Sequence, residues 1–401
     1  MEDTIFVSIP SYRDPELVHT VRDLLSKAHH PELVYVGICW QWRPDEDQPY
    51  VEEFDRFLHE CEDEAEAVAS STTTTSTTTN TAHPRVPARQ RVRIAWVDWR
   101  EARGPCHARR VAQALYADQR YHLALDSHMR FIPGWDSVLV GLLARCPSPK
   151  PLLTAYPAPY LRPNSVTTDP RPPFLCAREF GADDGMLRTC GKLLHLPLPA
   201  TTAATAAPTS GAQQGQSQAR AQGKPGVGPL PSLGRWRMMV QEVPYDPHLP
   251  FLFFGEESSM AARLWTHGWD FFSPPHHVIY HLWSRSYRPT FWEVEDKEKL
   301  KERSLRRVRC LLGATPRDQV EAECLSELDL YGLGRARSLE EFQQHTGIEF
   351  KTRQIGDKAK WGGLPSTMFV EGMAQFALSL AGLSLDLSPP SSPSSSTEKF
   401  T

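Results

Sequence analysis

Apolar positions along the chain fall into two recurring patterns, short continuous runs and runs at helical spacing. IFVSIPS, from Ile5, is a short apolar run that stops at Pro10. PELVHTVRDLLSKA then opens with Pro15 and carries Leu17, Val21, Leu24 and Leu25 on one helical face. This predicts a strand, a loop and a helix. LVYVGICW reads as a second strand, VRIAWVDW as a third, GPCHARRVAQALY as a helix, YHLALDSH as a fourth strand and PGWDSVLVGLLARC as another helix. Strands separated by helices predict an α/β fold, a mostly parallel Rossmann-like sheet flanked by helices. Further on, FGEESSMAARLWTHGW is helical from Gly255, and HHVIYHLW gives a short strand after two prolines. From about residue 290 the pattern is mainly helical, so one α/β domain over residues 1–289 is expected, with a helical C-terminal extension over 290–387 packed on it.

Three segments lack the apolar content that offsets chain entropy. They are the Ser/Thr tract near 69–82, extending with its flank to about 90, the Ala/Thr/Gln/Gly/Pro stretch over 197–234, and the Ser/Pro-rich tail 388–401. They read as low-complexity insertions in loops and a disordered tail.

Composition narrows the picture. At 401 residues the chain can build a sizeable core and a closed pocket. A net charge of -4 gives no basic field for phosphate backbones, so nucleic acid is not expected as a partner. The one dense basic run, KEKLKERSLRRVR, carries Leu300, Leu305 and Val308 at helical spacing and reads as an amphipathic helix with a charged outer face. The eight cysteines show no CxxC pair or zinc-finger spacing, which suits reduced thiols. The start, MEDTIFVSIPSYRDP, resembles neither a secretory signal nor an anchor, and no segment reaches the roughly 18 to 20 apolar residues that span a bilayer. A cytoplasmic protein without a membrane partner is therefore expected.

The sharpest chemical feature is LALDSHMRF. On a strand, Asp126 and His128 project to the same side and Ser127 points away, at the carboxyl end where open parallel sheets form their ligand crevice. A carboxylate with an imidazole suits a first-row divalent ion such as Mn²⁺, whereas an Mg²⁺ site favours oxygen throughout. An isolated DxH is also what a turn-capping aspartate beside an incidental histidine looks like. HHVIYH offers a third ligand in His281, at the strand's exit beside Trp283, with His276 and His277 available nearby.

Glu256 and Glu257 open a helix, where acidic residues are favoured by the dipole and where either can reach a sugar. EARGPCHARR places Arg103 before a Gly-Pro turn and Arg109 in the helix after it, positions that suit a diphosphate. Pro10, Ser11, Tyr12 and Arg13 after the first strand, and Asp98 ending the third, lie at the same crevice and can hold a base and ribose.

In order along the chain, IFVSIPSYRDPELVHTVRDLL, REARGPCHARRVAQ, YHLALDSHMRF, FGEESSMAARLWTHGWDFFSPPHHVIYHLW and YGLGRARSLEEFQQHTGIEF resemble the cytoplasmic GlcNAc transferases that modify hydroxyproline on the adaptor Skp1. That family is similar in turn to the mucin-type polypeptide GalNAc transferases. The resemblance implies a GT-A catalytic domain, Asp126, His128 and His281 as Mn²⁺ ligands, and Glu256 or Glu257 as the functional glutamate. FGEE stands where the related enzymes have a double glycine before Glu. The implied reaction is retaining transfer of GlcNAc from UDP-GlcNAc to a protein hydroxyl. Alternatives are a Ser/Thr polypeptide transferase, a metal-dependent hydrolase, and a non-catalytic sugar-nucleotide or adaptor-binding protein.

Overall fold

The structure, a computed structural model, describes residues 3–71, 86–171, 173–194, 232–235, 239, 241–295 and 297–369. The tail 388–401, the Ser/Thr tract over 72–85 and most of the 197–234 stretch lie outside the described residues.

The chain opens with strand β1 (Ile5–Tyr12), helix α1 (Glu16–Lys27), strand β2 (Val34–Trp42), helices α2 (Pro44–Ser71) and α3 (Ala88–Arg91), strand β3 (Val92–Asp98) and helix α4 (Pro105–Gln113). Strands β4 (Tyr121–Ala124) and β5 (Met129–Phe131), helix α5 (Trp135–Ala144) and strands β6 (Pro151–Thr154), β7 (Ala158–Leu161), β8 (Ser165–Val166), β9 (Phe174–Phe180), β10 (Leu187–Lys192) and β11 (Ser232–Arg235) follow. Helix α6 (Glu256–Thr266), strands β12 (Asp270–Phe272) and β13 (Ile279–His281) and helix α7 (Lys297–Leu311) complete the part that builds the site.

Seven strands form the main sheet in the order β12-β6-β11-β4-β1-β2-β3. All neighbouring pairs are parallel except those of β11, which runs antiparallel between β4 and β6. The α/β class and the mostly parallel sheet are as expected. β1 lies centrally with Ile5, Phe6, Val7 and Ile9 buried, the continuous apolar pattern of a strand covered on both faces. Leu17, Val18, Val21 and Leu24 of α1 are buried in the same cluster, and Trp135 of α5 donates its indole N–H to the Leu24 carbonyl at 2.8 Å. Removing a side chain such as Leu24 from this contact costs about 3 kcal/mol.

A second sheet, β5-β13-β7-β8, sits beside the first. β13 pairs antiparallel to β5 with His281 opposite Met129, and one step further Leu282 N–H donates to the His128 carbonyl at 3.1 Å. This pairing brings together two segments far apart in sequence.

Three expectations need correction. β1 does not stop at Pro10. Its even-numbered residues turn their backbone groups toward β4, as the 3.1 Å bond from Leu125 N–H to the Ser8 carbonyl shows, and β4 ends opposite Ser8. The missing N–H of Pro10 therefore falls where there is no strand to pair with. The stretch 197–234 is not loop throughout, because Ser232–Arg235 is an internal strand of the main sheet. The flanks of the Ser/Thr tract are helical, at the end of α2 and in α3. From α7 onward the described residues keep the mainly helical pattern in short helices, among them α8 (Leu328–Tyr331) and α9 (Leu339–Thr346), with a small two-stranded sheet of β14 (Ile348–Glu349) and β15 (Gln354–Ile355) beside them.

The C-terminal part shares a core with α6, since Leu305, Val308, Phe342 and Ile348 cluster with Leu264 and Trp265. The basic face of α7 is neutralised within the chain: Arg303 pairs with Glu323 at 2.9 Å, Arg309 with Glu302 at 3.3 Å, and Arg306 with Glu302 and Glu321. That is a solvated structural face. Cys39, Cys106, Cys146, Cys176, Cys190, Cys310 and Cys324 are free thiols. Among the described residues no helix is long and apolar enough to cross a membrane.

Candidate functional site

The carboxyl ends of β1 and β4 and the inner end of the second sheet meet at one place. Asp126 follows β4, His128 precedes β5, and His281 ends β13. Each offers a ligand atom, and these atoms lie within 4.8 Å of one another. The reason differs from the one the sequence suggests. β4 ends at Ala124, so Asp126 and His128 are turned inward by a bend and by the β5-β13 pairing, not by strand alternation.

The donor set fits a divalent transition metal in charge as well as position. Burial alone would raise the Asp126 carboxyl, yet Arg109 beside it and the bond to His281 hold it well below the usual carboxylate range. Burial pushes His281 down to about 4, so near neutral pH its ring is uncharged and its lone pair is available. His281 Nε2 lies 3.2 Å from Asp126 Oδ2, and its Nδ1 has no protein partner. One carboxylate with two imidazoles is a Mn²⁺- or Zn²⁺-type set.

Beneath His128 lies a residue that the sequence did not single out. Asp14, with its side chain fully buried, receives Ser127 Oγ–H at 2.6 Å and sits 2.8 Å from His128 Nδ1, both through Oδ2. Its Oδ1 accepts from the Glu16 N–H and from Tyr287 Oη–H, each at 3.0 Å, and Arg288 Nε lies 3.2 Å from Oδ2. Ser127 is therefore no bystander. The only local signal for Asp14 is its place just after a strand and before a proline.

On the other side, α4 and α6 bring Arg109 and Glu256 to Asp126. Gly104 precedes Pro105 at the start of α4 with φ +82°, and a Cβ there would lie 2.9 Å from Phe251 Cα. Glycine permits that close crossing. Arg109 Nη2 donates to Asp126 Oδ1 at 2.6 Å, and its Nε lies 2.8 Å from Glu256 Oε1. Burial raises the Glu256 carboxyl against the opposing charge of Arg109. Glu257 points elsewhere and accepts from Thr189 Oγ–H at 3.1 Å, and burial lifts its pKa to about 7.

The remaining candidates spread along the crevice. Trp283 stacks on Tyr156 at a centroid distance of 4.7 Å and meets the His281 ring edge-on at 4.3 Å, and its indole N–H has no partner among the described residues. Ser11 is buried with an unpartnered hydroxyl beside half-buried Pro10, while the Tyr12 hydroxyl donates to Glu293 at 2.7 Å. Arg13 is committed to carboxylates: it bonds Glu293 at 2.7 Å, pairs with Asp47 at 3.4 Å and contacts Glu46. Asp98 caps the turn after β3 by accepting from Arg100 N–H at 2.9 Å, and the side chain of Arg103 is exposed. His277 bonds the Asp169 carbonyl at 2.8 Å, outside the cluster. A second residue that the sequence reading passed over is Arg285. It lies over the Phe253 ring at 4.7 Å within the electrostatic reach of Asp126, and has no ion-pair partner among the described residues.

The family described as glycosyltransferase (GlcNAc) matches residues 4–352, well over half of the chain, and the chain belongs to that family. Its mixed, mainly parallel sheet flanked by helices has the GT-A arrangement expected of such an enzyme. No curated protein matches the chain. Among solved structures, GalNAc-T7 with UDP, GalNAc and Mn²⁺ is similar over 86% of this chain, with 11% identity and a TM-score of 0.48; the chain spans about half of that one, 54%. S. aureus TarS 1–349 in complex with UDP-GlcNAc is similar over 80% of this chain and 69% of that one, with 12% identity and a TM-score of 0.39. Both TM-scores are below 0.5, and neither likeness bears on what this chain binds.

Proposed function

We propose that this member of the glycosyltransferase (GlcNAc) family transfers GlcNAc from UDP-GlcNAc to a protein hydroxyl with retention of configuration, and that the acceptor is hydroxyproline on a Skp1-like protein in the cytoplasm. The observation that carries the reading is the convergence of Asp126, His128 and His281, with Asp126 ionised and His281 uncharged near neutral pH. These three residues would hold Mn²⁺, which would supply positive charge against a departing diphosphate. Arg285, a cation without an ion-pair partner among the described residues, adds charge on the same side, and Trp283 has an indole N–H that none of those residues occupies and that can donate to a phosphate or sugar oxygen. Ser11 and Pro10 line the part of the crevice assigned to base and ribose, with Arg13, Asp98 and Arg103 at its edges. Glu256, fixed by Arg109, orients the donor sugar, and is preferred over Glu257, which is turned to Thr189.

No residue is assigned as a covalent nucleophile. The reading is a front-face displacement in which the departing phosphate takes the acceptor proton. A hydrolase with two metals is disfavoured, because the described residues contain one metal-capable cluster. The catalytic domain is assigned to residues 1–289 and the extension to 290–387.

The test is a panel of UDP-sugars with Mn²⁺, following UDP release and then transfer to a hydroxyproline-bearing Skp1-type peptide beside its proline and serine analogues. UDP-GlcNAc with the hydroxyproline peptide should react, and Asp126→Ala or His128→Ala should fall to background while remaining folded. Full activity in either variant overturns the site, and preference for the serine peptide overturns the acceptor.

A further inference from the structure

We propose that Asp14 is a positioning residue of the metal site. It holds the His128 ring with Nδ1–H toward itself, so that Nε2 is the nitrogen left for the cluster with Asp126 and His281. The inference rests on the metal reading above, since it concerns the residue behind one ligand.

The geometry assigns the proton. Asp14 is enclosed by five groups: the Ser127 and Tyr287 hydroxyls, the Glu16 N–H, Arg288 Nε and His128 Nδ1, all within 3.2 Å. The Glu16 N–H and the Ser127 and Tyr287 hydroxyls donate to the carboxylate, and Arg288 lies beside it as a cation, so Asp14 is used as an acceptor on both oxygens. At 2.8 Å from such an oxygen, His128 Nδ1 must carry the hydrogen, and a neutral ring then keeps its lone pair on Nε2. The arrangement is rigid as well as directional. His128 is anchored through its own carbonyl to Leu282 N–H, and Ser127, its chain neighbour, is held by the same Asp14 oxygen. A carboxylate behind a ligating histidine fixes tautomer and orientation and raises basicity, and losing such a partner weakens metal affinity about 10- to 100-fold.

A purely structural role has other consequences. Asp14 also caps the start of α1 and ties down Tyr287 and Arg288, so its loss will affect stability whatever it does for the metal. Three measurements on the full chain separate the two roles. Mn²⁺ binding, read from the electron paramagnetic resonance signal of free Mn²⁺, is compared for wild type, Asp14→Asn and Tyr287→Phe. Asp14→Asn should bind about 10- to 100-fold more weakly. Tyr287→Phe removes a bond to the far oxygen of Asp14 and leaves the His128 contact, so it should bind as wild type does. Equal affinity in Asp14→Asn, or equal loss in both variants, overturns the proposal.

If Asp14→Asn does not fold, as judged by circular dichroism, the imidazole ¹⁵N shifts of metal-free wild type decide. An Nδ1-protonated His128 supports the proposal, and an Nε2-protonated one overturns it. A wild type that binds no Mn²⁺ sinks the transferase reading, and the ring-nitrogen shifts still judge Asp14 separately.

Discussion

Arg109 lies between the carboxylates of Asp126 and Glu256, 2.6 Å from the first and 2.8 Å from the second, and is itself buried. One guanidinium thus compensates two acids that come from different parts of the chain. Arg109→Met leaves those acids facing each other in a buried site, and breaking such a pair costs about 3 to 5 kcal/mol. Urea denaturation should show a loss of that size, and Glu256→Gln in the same background should recover part of it. Additive effects of the two changes would show that the pair is not coupled.

Gly104 allows α4 to start against Phe251. A side chain there meets Phe251 Cα at 2.9 Å and is also strained by φ +82°. Gly104→Ala should cost about 1 to 3 kcal/mol and lower the melting temperature. Because α4 carries Arg109, activity should fall more than stability alone explains, and a variant with normal melting and normal turnover would refute the close crossing.

Glu257 gives a pH signature. Its folded pKa, about 7, lies above the ordinary 4.5 because the group is buried. Between those values the folded chain holds a proton that the unfolded chain releases, so this group's contribution to stability is present below pH 4.5 and is lost as pH rises to about 7. Glu257→Gln removes that component. Urea midpoints taken from pH 4 to 8 should fall less with rising pH in the variant than in wild type; identical profiles would contradict the burial argument.

Among the described residues Arg285 has no ion pair to lose. Arg285→Ala should leave stability within about 0.5 kcal/mol and weaken UDP binding by calorimetry, with a smaller salt dependence than wild type. Unchanged affinity and salt response would take Arg285 out of the diphosphate site.

What could be read from the sequence follows from how local each signal is. The spacing of Leu17, Val21 and Leu24 is a local record of one buried helix face, so α1 was legible. α2 carries a comparable row in Phe54, Phe57 and Leu58, but a crowd of acidic residues and Pro49 obscure it. β11 was hidden because Ser-Leu-Gly-Arg has neither an apolar run nor alternation. Its strand state comes from neighbours on both sides. In the site, the residue types of Asp126, His128 and His281 announce metal chemistry wherever they stand. Asp14 announces nothing, because all that marks it out is contact with Ser127, His128, Tyr287 and Arg288, more than a hundred positions away. Ser127 was misjudged for the same reason: alternation on an ideal strand sent it outward, whereas the bend after Ala124 turned it inward.

The bond between Leu282 and His128 has a consequence for synthesis. Asp126 and His281 are 155 positions apart, so the three-ligand cluster has no local precursor and cannot exist on a nascent chain until β13 has emerged and docked on β5. A product truncated before residue 279 keeps Asp126 and His128 and still lacks the enclosure. Metal retention would therefore report completion of the fold, and translation products that stop early would be excluded from activity by geometry alone.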